Sequence, residues 1–267
     1  MHPLLFQLGH LAVPTYGACT ALALVTALLA LRYFARLLGL SPNRVWNLGL
    51  IAILTTLVAT RLLLVAAYFS VFRRYPFWVL GLTANHSAWI DSVALAIGLA
   101  AGLLYALAEG LPILRTLDCI APSAALALGL NRIGAFLAGL DYGLPSVHAW
   151  NVTYTSPVAA FWYGTPLGVP LTPVQLDDAL ISFLLFIGLL WWLPRRTQNG
   201  ELWGAWLFFY GFASYFLAFR RTVTQTQWAL RWPVAIVMVI ASIGFLLRRK
   251  SRSSAESYTV RDDSPGT

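Results

Sequence analysis

The chain has 267 residues, 59% of them hydrophobic and 10% charged, with a net charge of +8. Its mean hydropathy of +0.71 is more than a soluble domain of this size can bury, which excludes an ordinary soluble enzyme. Lys250 is the single lysine, so a lysine-rich nucleic-acid patch is excluded too; the basic residues flank apolar segments, as membrane topology requires.

Seven apolar segments follow one another along the chain: Leu11–Leu31, Val45–Phe69, Ser87–Ala108, Cys119–Leu140, Pro173–Leu193, Leu202–Phe219 and Trp228–Leu247. Each is about 18 to 25 residues, the length a helix needs to cross a bilayer. The first holds Tyr16-Gly17 near its start. The second is interrupted by Arg61, with Tyr68 two turns further along the same face. The third opens on Asn85-His86-Ser87, the fourth contains Arg132, the fifth opens on Gln175, Asp177 and Asp178, and the sixth holds Tyr210-Gly211. The fold predicted is all-α, a polytopic membrane protein of about seven transmembrane helices. Residues 1–247 form one membrane-embedded domain, and 248–267 read as a polar, disordered tail.

The arginines set the orientation. With the N-terminus outside, the cytoplasmic side receives Arg32, Arg36, Arg44, Arg115, Arg195, Arg196 and the basic residues of the tail. The outer side receives fewer: Arg73, Arg74, Arg220, Arg221 and Arg231. The excess favours N-outside and C-cytoplasmic. No basic stretch precedes the first apolar run, so a cleavable signal peptide is not expected. No internal repeat is visible by eye, which weighs against a transporter built from inverted repeats. Cys19 and Cys119 both fall in apolar segments and read as packing residues.

The longest connection, Asp141 to Thr172, is on the outer side by this reading. It holds Tyr142, Trp150, Tyr154, Phe161, Trp162 and Tyr163, and reads either as an interfacial aromatic belt or as a lid over a site. Asn151-Val152-Thr153 matches a glycosylation sequon, a pattern frequent by chance.

Arg132 carries the most information. A guanidinium at membrane depth costs at least a few kcal/mol, so it requires a partner, a wet cavity or a bound anion. Asp118 lies about 21 Å away along a straight helix and is out of reach; it is expected to cap the start of its own helix, with Pro122 in the first turns. Two intramembrane arginines, a histidine and several tyrosines suit a cavity for an anionic head group, because arginine binds phosphate bidentately.

These residues carry a resemblance. Asp118, Ala121-Pro122, Gly129 and Arg132-Ile133-Gly134-Ala135-Phe136 resemble the signature of bacterial prolipoprotein diacylglyceryl transferases, in which an arginine is followed after one residue by glycine, asparagine and phenylalanine. Tyr16-Gly17 is similar to the first-helix pair of that family, Arg61 and Tyr68 to its second-helix arginine and tyrosine, and His86 to its histidine. Pro173, Gln175 and Leu176 resemble its proline-serine-glutamine-leucine motif. Gly204 and Tyr210-Gly211 resemble the sixth-helix pattern, and Gln227-Trp228 a glutamine near the last helix. Ala135 stands in place of the signature asparagine, Ala138 and Leu140 in place of an asparagine and a glutamate, Asp178 in place of a glutamate, Ser214 in place of an arginine and Ala218 in place of a glutamate.

The resemblance implies transfer of a diacylglyceryl group from phosphatidylglycerol to the cysteine thiol of a prolipoprotein, in the bacterial cytoplasmic membrane. Expected catalytic residues are His86, Arg132 and Tyr16; expected substrate-binding residues are Arg61, Tyr68, Gln175, Asp178 and Tyr210. The partners implied are phosphatidylglycerol, the prolipoprotein signal peptide and membrane lipids. No metal, cofactor or nucleic acid is called for. The alternatives are a homologue that binds lipid or lipoprotein without catalysis, and a small transporter.

Overall fold

The computed structural model describes residues 2–8, 11–74, 88–146 and 150–221. His86, Gln227-Trp228, the seventh apolar segment Trp228–Leu247 and the tail lie outside the described residues. The chain opens with two antiparallel strands, β1 (Leu4–Leu8) and β2 (Leu11–Pro14). Helices α1 (Thr15–Leu37), α2 (Pro42–Ala67), α3 (Phe69–Arg74), α4 (Ala88–Ala108) and α5 (Ile113–Ala138) follow. The long connection contains β3 (Val152–Thr153), α6 (Pro157–Tyr163) and β4 (Pro170–Leu171). Helix α7 (Val174–Trp192) runs into a 3-10 turn at Leu193–Arg195, and α8 (Glu201–Arg220) ends the described chain. Among the described residues six helices are long and apolar enough to cross a membrane.

Two boundaries correct the sequence reading. Leu11–Pro14 is strand, not the first turn of the first helix; Pro14 has extended backbone and α1 starts after it. The fourth segment is helical from Ile113, not from Cys119. Asp118 is therefore inside α5 and caps another helix. Its carboxylate accepts the backbone N–H groups of Gly200 (2.7 Å), Leu202 (3.0 Å) and Trp203 (3.2 Å) at the start of α8. Arg196 Nη1 adds an ion pair at 3.1 Å. A carboxylate there satisfies the unpaired first N–H groups of a helix and meets the positive end of its dipole.

Helix α5 is central: it packs on α1, α7 and α8, while α2 lies between α1 and α4. The α1–α5 contact needs a glycine. A Cβ at Gly134 would meet the Cys19 Cβ at 2.4 Å, and Asn131 Nδ2 bridges the same helices by donating to Thr20 Oγ1 at 2.9 Å. One apolar cluster joins Phe34, Val45, Ala106 and Cys119; a second joins Ala125, Leu189, Leu202 and Trp206. Helix α5 ends in a left-handed turn at Gly139 (φ +84°), where the Leu140 N–H bonds back to the Ala135 carbonyl at 2.9 Å. Only glycine takes that backbone without strain. The reversal brings Asp141, itself at φ +58°, back beside the last turns of α5.

Candidate active site

The end of the molecule carrying the Asp141–Thr172 connection gathers the C-terminus of α5, the N-terminus of α7 and the C-terminus of α8. Residues 143–145 lie between two other segments like a short strand. Leu144 donates its N–H to the Arg220 carbonyl (3.0 Å), and Gly143 and Leu144 exchange hydrogen bonds with Thr172 (both 3.1 Å). Gly143 bridges to Arg221 and Pro145 to Leu171. The backbone of Arg221 is thus fixed by a segment almost eighty residues earlier.

Arg132 lies in the middle of this arrangement. Its Nη1 donates to Asp141 Oδ2 at 2.9 Å, and its Nε approaches Asp178 Oδ2 at 2.7 Å, an ion-pair contact not aligned as a hydrogen bond. Asp178 is 1% exposed and receives a second cation, since Arg221 Nη2 donates to the same Oδ2. Tyr210 on α8 interacts electrostatically with Arg132, Asp178 and Arg221. Outside this group, Arg220 pairs with Asp177 at 3.0 Å in a half-exposed bridge. Either guanidinium can serve as counter-ion to this buried carboxylate, but removing the carboxylate would leave the Arg221 charge uncompensated, at a cost of about 3–5 kcal/mol.

Gln175 fastens the connection to α7. Its Nε2 donates to the Leu140 carbonyl (2.8 Å) and to the Tyr154 hydroxyl (3.3 Å). Tyr154 in turn donates to the Phe136 carbonyl at 3.4 Å, and burial pushes its phenol up to about 12. Several buried polar atoms here have no hydrogen-bond partner among the described residues: Gln175 Oε1, Asp178 Oδ1, Ser182 Oγ and Arg221 Nε. Gln175, Asp178 and Ser182 share one stripe of α7, so the unmet valences face one locus. That is the pattern of a place where water or a polar ligand belongs.

Of the expected site residues, Arg132, Asp178 and Tyr210 come together, and Gln175 lies on the same stripe as Asp178. Tyr16 opens α1 at the same end and interacts with Tyr163 of α6. Arg61 and Tyr68 are on α2, which packs on α1 and α4. Arg61 makes no hydrogen bond or ion pair with another described residue; an apolar groove between α2 and α4 is lined by Leu54, Val58, Leu62 and Ile97. The aromatic connection divides: Tyr154 is buried, whereas Trp150 (73%) and Phe161 (87%) are exposed. Among the described residues no three His, Cys, Asp or Glu side chains are grouped to hold a metal ion.

Arg221 is not among the expected site residues, but it follows Ser214 with Arg220 about 1.5 turns further on, where the sequence allows either arginine to compensate for the one replaced. Ser214, which stands in place of an arginine in the resemblance, turns its hydroxyl back to the Gly211 carbonyl at 2.9 Å. The second guanidinium beside Arg132 comes instead from the end of α8. A signal was present: two aspartates open the fifth segment and two arginines close the sixth, so adjacent helix ends carry matching charges.

The family model described as prolipoprotein diacylglyceryl transferase matches residues 3–248. A phosphatidylglycerol–prolipoprotein diacylglyceryl transferase of Clostridium tetani is 28% identical over 222 residues, covering 83% of this chain and 86% of that protein. Phosphatidylglycerol–prolipoprotein diacylglyceryl transferase 2 of Clostridium perfringens is 23% identical, covering 92% and 94%. A protein of the first name from Listeria welshimeri is 24% identical, covering 97% and 93%.

Proposed function

The chain belongs to the prolipoprotein diacylglyceryl transferase family, and on that premise we propose that Arg132 is the phosphate clamp of a phosphatidylglycerol–prolipoprotein diacylglyceryl transferase. The protein transfers a diacylglyceryl group from phosphatidylglycerol to the lipobox cysteine of a prolipoprotein. The cysteine thiolate attacks the glyceryl carbon that bears the phosphate oxygen. A C–S bond forms, the C–O bond breaks, and glycerol phosphate leaves with the electron pair.

The observation that carries the reading is Arg132 held at one end of the helices by Asp178 and Asp141. Its side chain is 17% exposed and is held by carboxylates from two different segments. A preorganised cation beside the leaving oxygen stabilises the charge that develops there. Tyr210 adjoins the same group, and Gln175 and Asp178 line it. Tyr16 opens α1 at the same end of the molecule. Arg61, with Tyr68, offers a guanidinium that pairs with no other described residue, which suits capture of a lipid head while its chains stay in hydrocarbon. His86 accepts the thiol proton.

The protein is a multi-pass bacterial membrane protein. Its orientation is N-outside with seven helices, in the cytoplasmic membrane; the basic residues flanking the segments support this. The site then faces outward, where an exported signal peptide arrives, and the lipid enters sideways from the bilayer. The deciding experiment is transfer in membranes from phosphatidylglycerol to a lipobox peptide, comparing wild type with Arg132→Ala. Wild-type transfer lost in the variant supports the clamp. Transfer undiminished in the variant sinks it, and an inert wild type leaves a lipid-binding homologue.

A further inference from the structure

At the end of the molecule opposite the site, the last two turns of α1 carry two arginines that the reaction does not use, Arg32 and Arg36. Arg32 is half-buried against Trp46 of α2, its guanidinium carbon 5.8 Å from the ring centroid, within cation–π range. Its Nε is buried and has no hydrogen-bond partner among the described residues. Neither arginine makes an ion pair with a described residue, and the sequence explains why: the first acidic residue of the chain is Asp91, beyond both α1 and α2. Glu109, which lies at this end, is taken by Arg44 at 3.2 Å. Arg36 stands one turn after Arg32 and is exposed. It continues the face on which Val25, Leu29 and Tyr33 are each more than half exposed. In a multi-pass membrane protein such a face meets lipid chains, so Arg36 marks the level where chains give way to head groups.

We propose that Arg32, Arg36 and Trp46 form a binding site for the head group of an anionic phospholipid in the leaflet away from the reaction, with the lipid chains along the Val25–Tyr33 face of α1. The proposal does not depend on the transferase reading; by the orientation proposed above, the leaflet is the cytoplasmic one. A lipid phosphate supplies the acceptors that the two guanidiniums lack, at the edge of the hydrocarbon, where a charge-assisted hydrogen bond is stronger than in water. The stack on Trp46 holds the plane of Arg32, so less side-chain freedom is lost when the phosphate arrives. A zwitterionic lipid brings an ammonium that competes for its own phosphate, which favours an anionic one. The site is one place rather than a general basic rim, because Arg44 at the same end already has Glu109 as its acid.

The test counts lipid adducts on the full chain by native mass spectrometry. Phosphatidylserine is titrated into detergent-solubilised Arg132→Ala protein, a background that silences the head-group site of the reaction, with phosphatidylcholine as the zwitterionic control. A phosphatidylserine adduct is expected to persist there, and phosphatidylcholine to bind more weakly. Adding Arg32→Gln/Arg36→Gln weakens the phosphatidylserine adduct roughly tenfold or more, the worth of two cations beside a lipid phosphate. Trp46→Leu, which keeps both charges, weakens it by a smaller factor, and Arg44→Gln leaves it as it was. Glycerol phosphate at matched concentration does not displace the lipid, because it has no chains to lie on α1. Melting temperatures in the same detergent report folding; Arg36 is exposed, so Arg36→Gln alone, with a loss of several-fold, serves should the double variant fail to fold. Unchanged affinity without the two arginines overturns the proposal. So does an equal loss in Arg44→Gln, which reduces the effect to general charge, and so does displacement by glycerol phosphate, which assigns the arginines to a soluble anion.

Discussion

Arg132 of α5 and Asp178 of α7 meet at 2.7 Å, a contact between two helices that each cross the apolar layer. The pair is made at the one end where the chain reverses after Gly139 and supplies a second carboxylate, Asp141, to the same guanidinium. The arginine is thereby aimed by two different segments. Loss of this residue should spare the fold more than the chemistry, because Asp178 keeps Arg221 as counter-ion. Arg132→Ala is expected to reduce transfer at least ~100-fold, the scale of removing an oriented transition-state donor. Arg132→Lys retains a small fraction. Initial rates in the lipobox-peptide assay decide this, with a thermal melt confirming folded protein.

Asp118→Ala acts at the opposite end and should separate stability from chemistry. It removes the acceptor of three backbone N–H groups and the partner of Arg196. A loss of about 3 kcal/mol or more is expected. Chemical denaturation in detergent should show it, while lipid affinity in the folded fraction stays near wild type. Equal stability of variant and wild type would contradict the capping role.

Gly134→Ala should wedge α1 from α5, because the new methyl meets the Cys19 Cβ at 2.4 Å. Overpacking of this kind costs about 1–3 kcal/mol. Cys19→Gly in the same chain removes the obstructing atom and is expected to recover part of the loss. A double-mutant cycle reads the coupling; additive effects would show that the two positions do not touch.

Tyr154 predicts a pH dependence. Its folded phenol is pushed by burial from 10.0 to about 12, so the native state holds that proton more tightly than the unfolded chain. The contribution is intact below pH 10 and is lost as pH rises from there toward 12, because the unfolded state then binds fewer protons. Tyr154→Phe should flatten the alkaline limb of stability against pH. Denaturation midpoints at pH 9 and 11 check it, and an unchanged slope would count against a buried, protonated phenol.

The six long helices of the described residues were legible because apolar length alone reports them. Leu11–Pro14 was misread because hydropathy measures transfer from water and says nothing of hydrogen-bond pattern. The start of α5 was hidden by Arg115 and Asp118, polar residues that resemble a loop until their partners in the α7–α8 connection are known. Arg132 was legible because an isolated charge in an apolar run demands explanation locally. Arg221 was legible only as one of two arginines able to compensate for Ser214, because its partner is 43 residues away and its placement depends on a backbone bridge to Gly143.

The Asp118 cap has a mechanical consequence. Helix α8 is tied to α5 at its first turn through Asp118, and near its far end through Arg132, Tyr210 and Asp178 with Arg221. An axial slide of α8 by one residue, about 1.5 Å, would unseat both ends together. Helices α5 and α8 are therefore joined at two levels, and α7 joins them at the second. Arg132, proposed above as the phosphate clamp, is then also one of the rivets that fasten α5 to α7.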